Sequence, residues 1–540
     1  MKKYFLILIA LFIGLNSWSQ SNTPARPKLV VGIILDQMRW DYLYRYQNRY
    51  AADGGFKRLL NQGATCENTF IPYTPTVTAC GHASVYTGSV PSINGITGNA
   101  WWDQDKQATV YCTDDKTVKT VGSDNTSGLM SPRNLLTNTI GDELRMATQF
   151  RSKVVGIALK DRGAILPAGH SANAAYWYDS KTGNWVTSTY YRNELPNWVK
   201  QYNDSKRPDA FYQMGWNTLY PANTYTASTD DEKSYENPMF GKKLPYDLSA
   251  YIGKDYSKIL TTPHGNSLTF EFAKKALLAD TLGKDPITDL LAISFSSPDY
   301  IGHSYGPNSV EAEDGFLRMD RELGEFLRFL DKEVGAGQYT VFLSADHGAA
   351  PVPEYMQENK MPGGRVFFMG LINQINQSLQ KEYLIANLIV SDDNYQIHLN
   401  RKALDSAKID RKSVSEKIMQ WIRLEPGVDR IFPLEELNTI PLNEKVRNML
   451  NNGYHPLRSG DLQIILKSNY IDAYGKTGTT HGLWNPYDSH IPLLWYGWGI
   501  RPGRVIRETY MTDIAPTLAS LLRIQMPSGS IGKAIPEVIK

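Results

Sequence analysis

An α/β fold around a central, mostly parallel sheet is what this 540-residue chain predicts, on three observations. Short β-rich apolar runs recur along it: Lys28–Leu35, Val154–Leu159, Leu290–Phe295, Val341–Leu343 and Ile491–Tyr496. Runs of this kind read as buried strands of a parallel-type sheet. Helical or looped segments separate them. Finally, residues able to hold a metal or a phosphate border each run: Asp36, Lys160, Asp299, Asp346 with His347, and His481. Ligands of such sheets gather beyond the carboxyl ends of the strands, so these residues are expected to meet in space although they span most of the sequence.

The chain opens with Lys2 and Lys3, an apolar stretch Tyr4–Leu15 and then Asn16-Ser17-Trp18-Ser19. A basic start, a short apolar core and small residues predict a secretory signal peptide over residues 1–19, cleaved near Ser19. A periplasmic or secreted location follows. The stretch is short for a membrane span, which needs ~20 apolar residues, and no Cys follows it to carry a lipid anchor. Lys2 and Lys3 account for the formal excess of 57 basic over 55 acidic residues. The mature chain is therefore near neutral, with no basic surplus to suggest nucleic-acid binding. Cys66, Cys80 and Cys112 allow at most one internal disulfide, so stability has to come from the core.

After the first strand, Phe56–Gln62 reads as a helix. A loop rich in Thr and Pro, Pro72–Thr78, runs into a helix expected just after Thr78, and Gly95 and Gly98 mark a turn before Asn99. Residues of about 172–260, rich in Tyr, Trp, Asn, Ser and Thr, read as an irregular surface insertion. Between Gly306 and Gly335, Phe316, Leu323, Leu327, Leu330 and Val334 recur at helical spacing, with Asn308 and Glu311 as the N-cap pair. Residues of about 365–460 read as an inserted subdomain with strands at Tyr383–Val390 and Asn394–Leu399 and a helix at Ser413–Arg423. Val505–Ile524 closes the chain with a strand or loop and a helix over Thr512–Leu522. One catalytic domain, residues 20–540, carries both insertions.

The chemistry lies at the ends of the runs. Asp346 and His347 can face one ion only if the backbone bends after the strand, which Gly348 permits. Asp299 and His303 share one face if the chain is helical there, although Gly302 and Gly306 suit a tight loop equally. Donors of mixed Asp and His type suit Zn²⁺. The other six histidines lack a carboxylate at comparable spacing and read as structural. Thr78 is the nucleophile candidate, needing a metal or a base to draw off its proton; an N-cap role is the alternative, and Thr74 and Thr76 are rivals on spacing alone. Lys160 and Arg162 point to one side if the backbone stays extended, as two cations on a terminal phosphate would.

Taken in order, Asp36, Thr78 in Thr-Ala-Cys-Gly-His, Asn99, Asp299 with His303, Asp346-His347-Gly348 and His481-Gly482 resemble the alkaline phosphatase superfamily over almost the whole mature chain. Asn99 with Lys160-Asp161-Arg162 is similar to its PafA-type periplasmic phosphomonoesterases. The resemblance implies a three-layer fold with inserted cap segments and two Zn²⁺. One ion is expected on Asp299, His303 and His481, the other on Asp36, Asp346, His347 and the Thr78 hydroxyl. It further implies hydrolysis of small-molecule phosphate monoesters through a phosphothreonine, with Asn99, Lys160 and Arg162 on the phosphoryl oxygens, by a monomer. Sulfatases carry a modified Cys in a Cys-x-Pro-x-Arg context, which Cys80-Gly-His-Ala-Ser84 lacks. A phosphodiesterase or nucleotide pyrophosphatase of the same superfamily is the enzymatic alternative, and a secreted binding protein with purely structural metals is the other.

Overall fold

The computed structural model describes residues 25–473 and 475–540, so the expected signal segment 1–19 lies outside the described residues. Ten strands form the main sheet. In chain order they are β1 (Leu29–Leu35), β2 (Ala64–Phe70), β3 (Thr120–Val121), β4 (Val154–Ala158), β5 (Ala174–Asp179), β6 (Asn184–Ser188), β7 (Asp289–Phe295), β8 (Tyr339–Ser344), β9 (His490–Gly497) and β10 (Gly503–Tyr510). Across the sheet they run β10-β2-β9-β8-β1-β7-β4-β5-β6-β3. At its centre β1 pairs in parallel with both β7 and β8, Ile33 lying opposite Ile293 and Leu343. Every residue of β1, β4, β7 and β8 is buried. Their sequences are continuous apolar runs because neither face meets water.

β9 runs antiparallel to both of its neighbours, β8 and β2. An antiparallel strand is entered from the edge that its parallel neighbours leave. A ligand delivered to that edge must then precede β9 in the chain, where it follows β1 and β8. His481 does so.

Four helices frame the same edge: α1 (Thr78–Thr87), α2 (Asp161–Ala168), α3 (Ser297–Tyr305) and α4 (Val310–Leu330). α1 is buried along its whole length. α4 carries the apolar stripe read from the sequence, but its N-cap is Ser309, whose hydroxyl accepts from the Ala312 amide at 3.1 Å, and not Asn308. The extended continuation after β4 does not occur either. Lys160 keeps β-region dihedrals, and α2 begins at Asp161.

Two further expectations are corrected. The segment of about 172–260 is not irregular throughout, because β5 and β6 extend the main sheet and are joined at Gly183, with φ of +77°. Their Tyr and Trp residues are good strand formers, masked in the sequence by polar surroundings. Tyr383–Val390 is not one strand. Phe368–Tyr383 is a helix whose buried Phe368, Leu371, Ile372, Ile375 and Leu379 follow helical spacing, and only Ile389–Ser391 is extended. A second apolar cluster, distinct from the main core, draws on residues from Val366 to Leu466 together with Leu483. Its four-stranded sheet includes Leu462–Leu466. All three cysteines are free and buried.

Candidate active site

β1 ends beside Asp36, β8 beside Asp346 and His347, and α3, reached directly from β7, holds Asp299 and His303 in an i,i+4 pair. The loop before β9 adds His481. Two groups of donors result. In one, Asp299, His303 and His481 each offer an atom within 4.8 Å of the others; in the other, Asp36, Asp346 and His347 do the same. The groups adjoin, since the His347 and His481 rings stack with centroids 3.5 Å apart.

The imidazoles are aimed. Each gives its Nδ1–H to a main-chain carbonyl: His303 to Thr479 at 2.8 Å, His481 to Thr76 at 2.7 Å and His347 to Gly348 at 2.9 Å. That fixes the tautomer and turns the Nε2 lone pair inward, as metal-binding histidines require. Nε2 of His303 lies 3.2 Å, and that of His481 3.6 Å, from Asp299 Oδ1. Nε2 of His347 lies 3.4 Å from Asp346 Oδ2 and 3.6 Å from Asp36 Oδ1. Burial pushes His347 down to about 4 and His481 well below its ordinary value, which keeps both rings in the neutral, ligating form.

The carboxylates pass the same test of fit. Asp36 Oδ1 and Asp346 Oδ2 are buried with no hydrogen-bond partner, an arrangement that strongly disfavours two anions unless a cation sits between them. Burial, and after it the neighbouring Asp36, raises the Asp346 carboxyl well above the usual range. With the chemistry of the donor set, these orphaned oxygens suit zinc. His303 is the open side of the centre, its side chain 34% exposed while those of Asp36, Asp346 and His347 are 0%.

Thr78 is the first residue of α1, and Val77 is the N-cap. Its hydroxyl is therefore not used in capping; it lies 3.5 Å from His347 Nε2 and 3.4 Å from Lys160 Nζ. Thr74 and Thr76 instead give their hydroxyls to the carbonyls of Gly482 and Leu483. Lys160 Nζ bridges the two groups, 2.7 Å from Asp36 Oδ2 and 2.6 Å from Asp299 Oδ2. Asn99 accepts from the Ala79 amide at 3.0 Å through Oδ1, which leaves its side-chain N–H groups to donate elsewhere. Arg162, in the first turn of α2, donates to Tyr111 Oη at 2.9 Å, and that phenol donates to Asp161 at 2.7 Å. Asp36, Thr78, Lys160, Asp299, His303, Asp346, His347 and His481 thus lie together, while Asn99 adjoins Thr78 through the Ala79 amide and Arg162 follows Lys160 into α2.

Two residues escaped sequence reasoning. Gln37, with φ of +67°, donates its amide N–H to Asp346 Oδ1 at 3.0 Å and its side-chain N–H to Asp299 Oδ1 at 2.6 Å, so it touches both groups. Its place directly after Asp36 was the only signal. His82, read as structural for want of a carboxylate nearby in sequence, lies 3.4 Å from Asp346 Oδ2 and bonds to Thr78 O and Ser294 Oγ. Its spacing of four from Thr78 on a helix was the usable clue. His170 also has a carboxylate partner, Asp142 at 3.4 Å, although away from the site.

α1 approaches the Asp346 segment so closely that a Cβ at Gly81 would fall 2.4 Å from Asp346 O. The Gly81→Ala variant is expected to fold with a stability loss of ~1–3 kcal/mol and to release its metal faster. Metal content after timed dialysis against a chelator, beside a thermal melt, is the check; retention equal to wild type would refute it.

The family described as type I phosphodiesterase / nucleotide pyrophosphatase matches residues 30–488. Alkaline phosphatase PhoV of Synechococcus elongatus is 49% identical over 522 residues, 96% of this chain and 94% of that protein. Alkaline phosphatase PafA of Elizabethkingia meningoseptica is 48% identical over 542 residues, 99% of each. The crystal structure of wild-type PafA superposes with a TM-score of 0.93 at 48% identity, covering 96% of this chain and 100% of that one.

Proposed function

Because this chain belongs to the type I phosphodiesterase / nucleotide pyrophosphatase family, within the alkaline phosphatase superfamily, we propose that it hydrolyses phosphate monoesters in two displacements through a phosphothreonine at Thr78. The observation that carries this reading is the hydroxyl itself: buried, unused in capping, and set against His347 of one donor group and the Lys160 bridge to the other. Asp299, His303 and His481 would hold one Zn²⁺ and Asp36, Asp346, His347 and the Thr78 oxygen a second, and the pair would supply the Lewis acidity needed to activate this hydroxyl and stabilise the departing oxygen.

The rest is the work of the chain. Thr78 Oγ forms a bond to phosphorus as the bond to the ester oxygen breaks, and the alcohol leaves. Water then takes the place of Thr78 on phosphorus, giving inorganic phosphate and the free threonine. Through both steps the spare N–H groups of Asn99, the Lys160 ammonium and the Arg162 fork balance charge on the equatorial oxygens, the main task of a protein in phosphoryl transfer. Burial works against the charge on Lys160, but Asp299 and Asp36 more than offset it, so the ammonium persists. The basic start and short apolar core at the N-terminus support an exported enzyme.

A diester carries one fewer anionic oxygen and needs the cation pair less. Wild type should therefore prefer an aryl phosphate to the bis-aryl phosphate. Arg162→Ala, which removes a group bonded to none of the proposed metal ligands, should lower the monoester rate by on the order of 10²–10³ and the diester rate far less. Measuring kcat/KM on both esters decides. A wild type that favours the diester, or a variant that loses both rates equally, would support the diesterase reading instead.

A further inference from the structure

Asn99 is followed directly by a two-stranded hairpin, in which Ala100–Asp103 pairs antiparallel with Ala108–Tyr111. Ala100 lies opposite Tyr111, and the Cys112 amide closes the base of the hairpin on the Asn99 carbonyl at 2.9 Å. One end of the hairpin is therefore Asn99 and the other Tyr111. Tyr111 leans on the start of α2. Its hydroxyl accepts from the Arg162 guanidinium at 2.9 Å and donates to Asp161 Oδ1 at 2.7 Å, while Thr113 Oγ1 donates to Asp161 Oδ2 at 3.0 Å. The direction is forced, because a guanidinium only donates and a carboxylate only accepts.

Among the described residues Tyr111 is the one hydrogen-bond partner of the Arg162 side chain, whose Nε–H is buried with no acceptor. The Asp161 carboxylate, spent on Tyr111 and Thr113, reaches Arg162 through the phenol. A long cationic side chain held by nothing would spread over many rotamers.

We propose that Tyr111 is a positioning residue: it aims the Arg162 fork at the phosphoryl oxygens, with Asp161 and Thr113 fixing the phenol in turn. This rests on Arg162 being a phosphoryl contact, as the proposed function has it. A neutral phenol suits the task better than a carboxylate. A direct ion pair would occupy the fork and offset the charge that a phosphate needs, whereas a single phenol oxygen leaves most of the donors free. The hairpin also joins Arg162 to Asn99, since Ala100 and Tyr111 are paired across it, so the two contacts keep one frame. Asn394, remote in sequence and in the left-handed conformation with φ of +63°, pins that frame by donating its side-chain N–H to Ala100 O at 3.0 Å.

Tyr111→Phe tests the proposal, because it removes the hydroxyl and leaves the ring. In the zinc-loaded full-length protein, kcat/KM for an aryl phosphate should fall by about 10- to 100-fold, the scale of a reacting group displaced by ~1 Å. The bis-aryl phosphate rate should fall far less, and zinc content should stay as in wild type. Made in the Arg162→Ala background, the same substitution should cost nothing further, because the group it positions is gone. Asp161→Asn, which keeps the side-chain shape, should give the same pattern with a smaller loss and guards against a misfolded Tyr111→Phe. A wild-type monoester rate in Tyr111→Phe, or a loss equally large in the Arg162→Ala background, would overturn the proposal while leaving Arg162 its role. An undiminished monoester rate in Arg162→Ala alone would remove that role and the proposal with it.

Discussion

Thr78→Ala should lose turnover of an aryl phosphate by about 10⁴-fold or more, the scale seen when a nucleophile is removed from a preassembled site, yet still bind zinc. The hydroxyl lies in reach of His347 and Lys160 and has no structural duty that alanine would disrupt, since Val77 holds the N-cap position. Thr78→Ser keeps the oxygen and should retain substantial activity, which separates a missing nucleophile from a disturbed helix. Rapid quenching of wild type with ³²P-labelled substrate should trap the label on Thr78, and the alanine variant should trap none. Near-wild-type turnover in Thr78→Ala would remove the phosphothreonine from the account.

Stripping the metal should abolish activity altogether while the protein stays folded, and zinc add-back should restore it. Without a cation the centre holds Asp36, Asp299 and Asp346, three buried carboxylates, against the one ammonium of Lys160. Lys160 offsets part of that repulsion by its contacts with Asp36 and Asp299, and the large buried core is independent of the site. Collapse is therefore not expected, but a lower melting temperature is. Ligand linkage sets the scale: a site filled at 1,000 times its Kd contributes about 4 kcal/mol to stability. Elemental analysis, calorimetry and rate measurement on the same chelator-treated sample form the test. A sample free of metal and fully active would end the two-ion reading.

Much of this was legible without coordinates, and for a definite reason. Whether a strand is buried on both faces is written in its own composition, so β1, β4, β7 and β8 could be read as apolar runs and their flanking Asp, Lys and His residues picked out. The order of motifs from Asp36 to His481 carried the family as well, because it depends on residue types and chain order alone. Failures came where neighbours in space decide the outcome. β5 and β6 were lost in a polar-looking segment because their Tyr and Trp rings find a core only once β4 lies alongside. His82 was set aside since its carboxylate, Asp346, is remote in sequence.

What the sequence determined by itself, then, is the list of donors, the nucleophile candidate and the sheet edge where they belong. The resemblance already implied how the six donors divide into two groups; tertiary structure alone decided that the antiparallel course of β9 brings His481 to an edge that β1 and β8 reach from the other direction, and that Lys160 and Gln37 each touch both groups. The physical reason is one of range. Burial and helix periodicity are set by nearby residues, whereas the aim of a lone pair is set by a carbonyl that strand order brings in from elsewhere, as Thr76 does for His481.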